Sequence, residues 1–282
     1  MSNLVTANWL HQHKKDVKII DVRFHLMDAA QGKKDYEAGH IPGAIFLDTN
    51  EHLSAPVEAH GGRHPLPNLE KFAATLGEFG ITPVTKVVIY DDQASMFASR
   101  LWWLLKYIGH DEAYVLNQGF SGWAALYEVT TDIPTVEPVG SYPIQLNDKF
   151  SIASYEDVKQ TLTAPGTVLI DSREPFRYLG EAEPIDKKAG HIPGAQNIFW
   201  KSHFNDNQTV KTTAEITETF AHLAKDDEII VYCGSGISAC PNVLLLNELQ
   251  YKNVRLYAGS WSDWISYEDS PIAVGEEKVE IK

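Results

Sequence analysis

Cys233 follows the apolar run Glu228-Ile-Ile-Val-Tyr232 and opens the octapeptide Cys-Gly-Ser-Gly-Ile-Ser-Ala-Cys, which ends at Cys240. A helical pattern begins near Pro241. This order of strand, glycine-bearing loop and helix places a lone thiol at the carboxyl end of a buried strand, under loop amides and the positive end of a helix dipole. Both favour thiolate over thiol, and the thiolate is the nucleophile. The chemistry to expect is covalent catalysis by sulfur.

The loop composition adds to this. Gly234 and Gly236 are expected to take positive φ, so that consecutive N–H groups turn inward as an anion nest around the sulfur. Ser238 is expected to cap the next helix, with Pro241 in its first turn, where a missing donor costs nothing. The competing reading is an inert cysteine ending a core strand. Cys240 is read as a small core residue on that helix, too far from Cys233 for disulfide geometry.

The elements that must position the loop are visible as a repeat. Ala38-Gly-His-Ile-Pro-Gly-Ala44 recurs unchanged as Ala189-Gly-His-Ile-Pro-Gly-Ala195. Upstream, Val17-Lys-Ile-Ile-Asp-Val-Arg23 corresponds to Thr167-Val-Leu-Ile-Asp-Ser-Arg173, and downstream Lys86-Val-Val-Ile-Tyr-Asp91 corresponds to Glu228-Ile-Ile-Val-Tyr-Cys233. The period is far longer than that of a solenoid and indicates a tandem duplication of a domain. Short branched runs at 17–22, 87–90, 168–170 and 229–232 read as strands buried on both faces, and 68–79, 97–108, 155–162, 213–223 and 242–249 carry helical spacing. The expected fold is α/β: two tandem domains, each a parallel sheet flanked by helices. The boundaries are placed at 1–135 and 150–282, with 136–149, which holds Pro138, Gly140 and Pro143, as the linker.

Open parallel sheets bind ligands beyond the carboxyl ends of their strands, and Asp91 and Cys233 both occupy such an end. A carboxylate cannot take up sulfur. The second half is therefore expected to do the chemistry, and the first, with Asp91 at the nucleophile's position, to cover and stiffen the site. His40 and His191 occupy the repeated turn in both halves, including the half without a thiol, which argues for a role in the fold. Trp102, Trp103, Trp261 and Trp264 are read as packing residues.

A formal net charge of −14, from 24 basic and 38 acidic side chains, argues against nucleic acid or an anionic membrane as partner. Two cysteines make no disulfide framework and suit a reducing compartment. The N-terminal residues hold no apolar stretch of signal-peptide length, and no later segment reaches transmembrane length, so the cytoplasm is the expected location. The eleven histidines include no Cys/His set with ligand spacing, so no metal site is expected, and the sulfur chemistry calls for no cofactor.

Taken together, the duplicated Gly-His-Ile-Pro-Gly-Ala turn, the loop at 233–239, Asp171-Ser-Arg173 with Arg177, and Gly259-Ser-Trp261 resemble the tandem-domain rhodanese family, the thiosulfate and 3-mercaptopyruvate sulfurtransferases. The resemblance spans nearly the whole chain. It implies a two-step transfer: Cys233 takes a sulfane sulfur from a small anionic donor as a persulfide and passes it to cyanide, a thiol or thioredoxin. Gly234, Ser235, Gly236, Ile237 and Ser238 would line the donor site, and Arg177 would hold a donor carboxylate in fork geometry.

The family's markers divide over the donor. Gly234 and Ser235 look like the mercaptopyruvate type, since the thiosulfate type usually carries Arg and Lys there, and a neutral loop suits a monoanionic keto acid better than a dianion. Arg177-Tyr-Leu-Gly180 looks like the thiosulfate type, and a second arginine that mercaptopyruvate enzymes often carry is missing around Ile185, where only Lys187 and Lys188 are near. The charge argument favours 3-mercaptopyruvate, with thiosulfate the alternative. His64 falls where mercaptopyruvate enzymes have a histidine able to relay a proton with Ser235, and the competing reading is a loop histidine with no catalytic duty. The carboxylate that would orient it falls at Asn50, and Arg63 beside it is read as either a substrate cation or a surface charge.

Two other classes compete. A cysteine phosphatase wants an arginine six residues after the nucleophile, where this chain has Ala239. A non-catalytic binding module would have no use for the thiol, the loop glycines and Arg177 together.

Overall fold

The computed structural model describes residues 2–163 and 166–276. Two compact units are present: Met1–Ala55 with Leu66–Asp148 and Phe204–Lys211, and Pro56–Pro65 with Lys149–His203 and Thr212–Lys282. Each unit is thus assembled from segments that are not contiguous in sequence.

The first unit runs β1 (Leu4–Val5), α1 (Ala7–His13), β2 (Lys18–Asp21), α2 (Gln31–Ala38), β3 (Ala44–Phe46), α3 (Leu69–Glu78), β4 (Val87–Tyr90), α4 (Met96–Tyr107), β5 (Ala113–Leu116) and α5 (Gly119–Ala124). Its strands pair in the order β1-β5-β4-β2-β3, all parallel. All four residues of β4 are buried, as an all-apolar strand covered on both faces requires. Trp102 and Trp103 on α4 are fully buried, as expected. Asn68 starts α3 by accepting the Lys71 N–H at 3.0 Å, the usual service of an N-cap side chain.

Residues 136–149, expected as the linker, run along α3 and the end of α4 in hydrogen-bonded contact. The Val139 N–H donates to Gly77 O at 2.8 Å, Tyr142 N–H to Ala73 O at 3.0 Å, and Asn147 N–H to Tyr107 O at 3.0 Å. The prolines there remove helical options without preventing an extended segment from packing.

The second unit repeats the topology: β6 (Ser151–Ile152), α6 (Tyr155–Thr161), β7 (Thr167–Asp171), α7 (Pro175–Tyr178), β8 (Ala195–Asn197), α8 (Thr213–Thr219), β9 (Glu228–Tyr232), α9 (Cys240–Glu248), β10 (Asn253–Leu256) and α10 (Ser260–Trp264). The strand order is β6-β10-β9-β7-β8, again parallel throughout. Capping boxes open α6 at Ser154 and Asp157 and α8 at Thr212 and Glu215, each satisfying two otherwise orphan amides. Val243 to Leu246 on α9 are buried, as are Trp261 and Trp264 on α10.

The repeated turn uses its histidine for the fold in both units. His191 donates from Nδ1 to Tyr178 O at 2.7 Å and stacks on the Tyr178 ring at 3.7 Å. His40 does the same with Tyr36, at 2.8 Å and 4.0 Å. Among the described residues no helix is long and apolar enough to cross a membrane.

Candidate active site

β9 is the central strand of its sheet, and Cys233 is the first residue beyond its carboxyl end. The thiol is buried, with 1% of the residue exposed. Its Sγ accepts the Gly236 N–H at 3.1 Å. Gly236 reaches that position with φ +77, and a Cβ there would stand 2.3 Å from Ala258 O, so both the backbone conformation and the close approach require glycine.

Gly234 does something different from what the sequence suggested. Its φ lies outside the left-handed region, and its missing Cβ instead leaves room for two guanidinium groups: a Cβ would stand 2.9 Å from Arg63 Nη2 and 3.4 Å from Arg177 Nη2. Ser238 is not the helix cap either. Ala239 occupies the N-cap with helical dihedrals and no side-chain cap. The loop enters α9 as a continuing turn, with the Cys240 N–H on Ile237 O at 3.0 Å. Cys240 points away into the core and donates from Sγ to Gly236 O at 3.3 Å.

The equivalent loop of the first unit is wrapped around its own carboxylate. Buried Asp91 accepts N–H bonds from Gln93 at 2.9 Å, Ser95 at 3.0 Å, Phe97 at 2.8 Å and Ala98 at 2.9 Å. Burial pushes the Asp91 carboxyl up and these four donors oppose it. The loop built at a strand end in this fold is therefore an anion nest, filled in the first unit by a side chain that cannot exchange sulfur.

Around Cys233, α10 fastens two pieces of chain at once. Trp261 and Ser262 donate their N–H groups to Cys233 O and Gly234 O, each at 3.0 Å. Ser260, a non-glycine residue at φ +56, accepts the Cys233 N–H on Oγ at 3.1 Å, and the same hydroxyl lies 4.0 Å from Cys233 Sγ. A residue held in that conformation beside a nucleophile stores local strain where geometry matters. On its other side α10 receives the segment Pro56–Pro65. The Gly61 N–H donates to Asp263 Oδ1 at 2.7 Å and the Arg63 N–H to Ser262 Oγ at 3.1 Å. Tyr257 completes the anchor by donating its hydroxyl to Asp263 Oδ2 at 2.6 Å. Burial and the neighbouring Asp263 raise the Tyr257 phenol, which stays a neutral donor.

This strap delivers His64 and Arg63. His64 Nδ1 stands 2.7 Å from Ser235 Oγ, with both residues buried. Asn50 belongs to the other unit and is exposed. Arg63 lies over Gly234 and makes a paired contact with Asp186, Nε to Oδ1 at 2.9 Å and Nη2 to Oδ2 at 3.2 Å.

Arg177, expected to offer its fork to a donor carboxylate, is engaged by carboxylates of its own chain. Its Nε bonds both Glu183 oxygens at 3.0 Å, Nη2 bonds Asp186 at 3.0 Å, and Nη1 reaches Glu174 at 3.4 Å. Glu183 also receives Arg173 Nη1 at 3.3 Å, and Arg173 lies over the Trp261 ring at 4.6 Å. Burial alone would raise the Glu183 carboxyl, but hydrogen bonds from Arg177 and from the Asp186 and Ile185 amides hold it below its ordinary range. Lys187 and Lys188 are exposed.

Sequence reasoning missed Asp186, Glu183, Ser260 and Asp263. Asp186 and Glu183 were visible as acids in the run before the second repeated turn. Nothing in one sequence pairs Asp186 with Arg63, more than a hundred residues upstream.

Known proteins share this tandem fold. The rhodanese-like domain family matches twice, over residues 6–126 and 154–267. A Pseudomonas aeruginosa protein named "Probable 3-mercaptopyruvate sulfurtransferase" is 37% identical over 98% of this chain and 99% of its own length. The thiosulfate sulfurtransferase of the same species is 34% identical over 85% of this chain and 87% of its own. The solved 3-mercaptopyruvate sulfurtransferase from Leishmania major superposes with a TM-score of 0.85 at 28% identity, covering 96% of this chain and 76% of that one. The chain belongs to the rhodanese-like family, in its tandem-domain form. It is an enzyme of the sulfurtransferase class.

Proposed function

We propose that this enzyme takes the sulfur of 3-mercaptopyruvate onto Cys233 as a persulfide and passes that sulfane sulfur to a thiophilic acceptor. The Cys233 thiolate attacks the donor sulfur. An S–S bond forms as the donor's C–S bond breaks, and the electron pair leaves on carbon as the enolate of pyruvate. The proton of the donor thiol, passed through Ser235 and His64, quenches the enolate and leaves the persulfide as its anion. The persulfide's outer sulfur rests against the loop amides until cyanide, a small thiol or thioredoxin attacks it; the S–S bond then breaks and the Cys233 thiolate returns.

The observation that carries this reading is the 2.7 Å contact between His64 and Ser235, two residues along the loop from a thiol that accepts the Gly236 N–H. Thiosulfate would release sulfite and leave no carbon to protonate, so that contact has a use only with the keto acid. Arg63 and Arg177 supply the cationic side of the donor site, and Gly234, Ile237 and Ser238 complete the loop. The first half of the chain, with Asp91 in the equivalent nest, carries no nucleophile. Two free cysteines and acidic composition support a cytoplasmic, reducing location.

The test compares kcat/KM for 3-mercaptopyruvate and thiosulfate with cyanide as common acceptor and Cys233→Ser as blank. A mercaptopyruvate preference that vanishes in Cys233→Ser is expected. A thiosulfate preference would transfer the assignment to that donor, and turnover independent of Cys233 would remove the catalytic assignment in favour of a binding module.

A further inference from the structure

Arg63, Arg173 and Arg177 form one cluster beside the nucleophile loop with Asp171, Glu183 and Asp186. Asp171 pairs with Arg173 at 2.6 Å, Glu183 bridges Arg173 and Arg177, and Asp186 bridges Arg177 and Arg63. Three formal positive charges meet three negative ones, and Glu174 adds a half-exposed acid at the rim. Asp186 is the member set closest to the donor, because both guanidinium groups it holds are those that face Gly234. Its side chain is 3% exposed and that of Arg63 is 31% exposed.

Arg177 has every nitrogen engaged, whereas among the described residues Arg63 Nη1 carries no hydrogen bond. An incoming anion therefore meets Arg63 first, at a guanidinium whose other edge is already neutralised by a carboxylate. We propose that Asp186 is a positioning residue that sets the charge of the donor: it orients Arg63 over the loop and balances the arginine cluster, so that the site accepts one negative charge and disfavours two. This rests on the reading of the site as one for a small anionic sulfur donor. It supplies a structural reason for the preference that the neutral loop alone only suggested. The second arginine missing near Ile185 is replaced by Arg63, brought in by the strap and held by the acid that stands near the vacant position.

Asp186→Asn removes one negative charge and keeps the side-chain shape. The effect on a dianion exceeds that on a monoanion by about tenfold, the size expected of one unit charge a few ångströms from another in partly screened surroundings. Two readouts are taken on the full chain. The first is the ratio of thiosulfate to 3-mercaptopyruvate kcat/KM, expected to rise about tenfold in Asp186→Asn, chiefly through a lower thiosulfate KM, and to return towards wild type in Asp186→Glu. The second needs no turnover: the ratio of Cys233 alkylation rates by iodoacetate, an anion, and iodoacetamide, its neutral counterpart. That ratio is expected to rise several-fold in Asp186→Asn. A donor ratio that stays within about twofold of wild type overturns the proposal, as does an unchanged alkylation ratio. If wild type turns over neither donor while the alkylation ratio rises as expected, the charge-setting role of Asp186 stands and the donor assignment falls.

Discussion

His64 Nδ1 and Ser235 Oγ stand 2.7 Å apart, joining a histidine on the Pro56–Pro65 strap to the loop that carries the nucleophile. A proton relay is useful only to a donor whose leaving group is a carbanion equivalent. His64→Gln and Ser235→Ala should each lower kcat with 3-mercaptopyruvate by about a hundredfold, the usual scale of general acid–base assistance, and leave kcat with any residual thiosulfate activity within about threefold. Equal losses with both donors in steady-state assays would remove the relay.

The strap is held by Asp263, which accepts from both Gly61 N–H and the buried Tyr257 hydroxyl. Asp263→Ala leaves both donors without their partner, at a cost of about 2–3 kcal/mol in urea unfolding. Amide hydrogen exchange at Gly61 to His64 should speed up under native conditions, and kcat with 3-mercaptopyruvate should fall as in the His64 variant. Destabilisation with unchanged exchange in the strap would assign Asp263 to Tyr257 alone.

Two glycines with similar φ separate conformational strain from collision. Gly43 has φ +85 and open space around its Cβ position, whereas Gly236 has φ +77 and Ala258 O at 2.3 Å. Gly43→Ala should cost about 1–2 kcal/mol, the penalty of the left-handed region for an L-residue. Gly236→Ala adds the clash and should cost about 3 kcal/mol or more, with loss of turnover because the N–H aimed at Cys233 Sγ must move. Equal costs for the two variants in chemical denaturation would contradict this.

Glu183 is held below its ordinary range in the folded protein, so it binds fewer protons there than in the unfolded chain. Its stabilising contribution is complete at neutral pH and is lost as pH falls through the carboxylate range towards its folded value. Urea midpoints measured from pH 7 down to acid should therefore fall for wild type. Glu183→Gln should be less stable at pH 7 and show a shallower decline, and parallel curves would show that the carboxylate carries none of the acid sensitivity.

Much of the fold was legible because short-range physics wrote it. The branched run Val87–Tyr90 is a strand as expected, and the expected helix at 68–79 is observed as Leu69–Glu78, because periodicity and a side-chain cap are local properties. Loop details were less secure. Gly234 and Ser238 were given the duties their residue types most often perform, whereas a neighbouring guanidinium and a continuing turn determined their conformations.

The sequence by itself determined the parallel α/β architecture of both halves, the position of Cys233 at a strand end, the glycine that lets an amide face it, and the unreactive Asp91 in the other half. These follow from residues a few positions apart, or from a repeat that aligns one half with the other. Only the tertiary structure decided the surroundings of the sulfur. It joined His64 to Ser235 and Arg63 to Asp186 across more than a hundred residues, turned the Arg177 fork onto Glu183 and Asp186, and made α10 the anchor of both loop and strap. Charge pairing and hydrogen bonding act through space, and the chain order of the partners leaves no local pattern from which such contacts can be read.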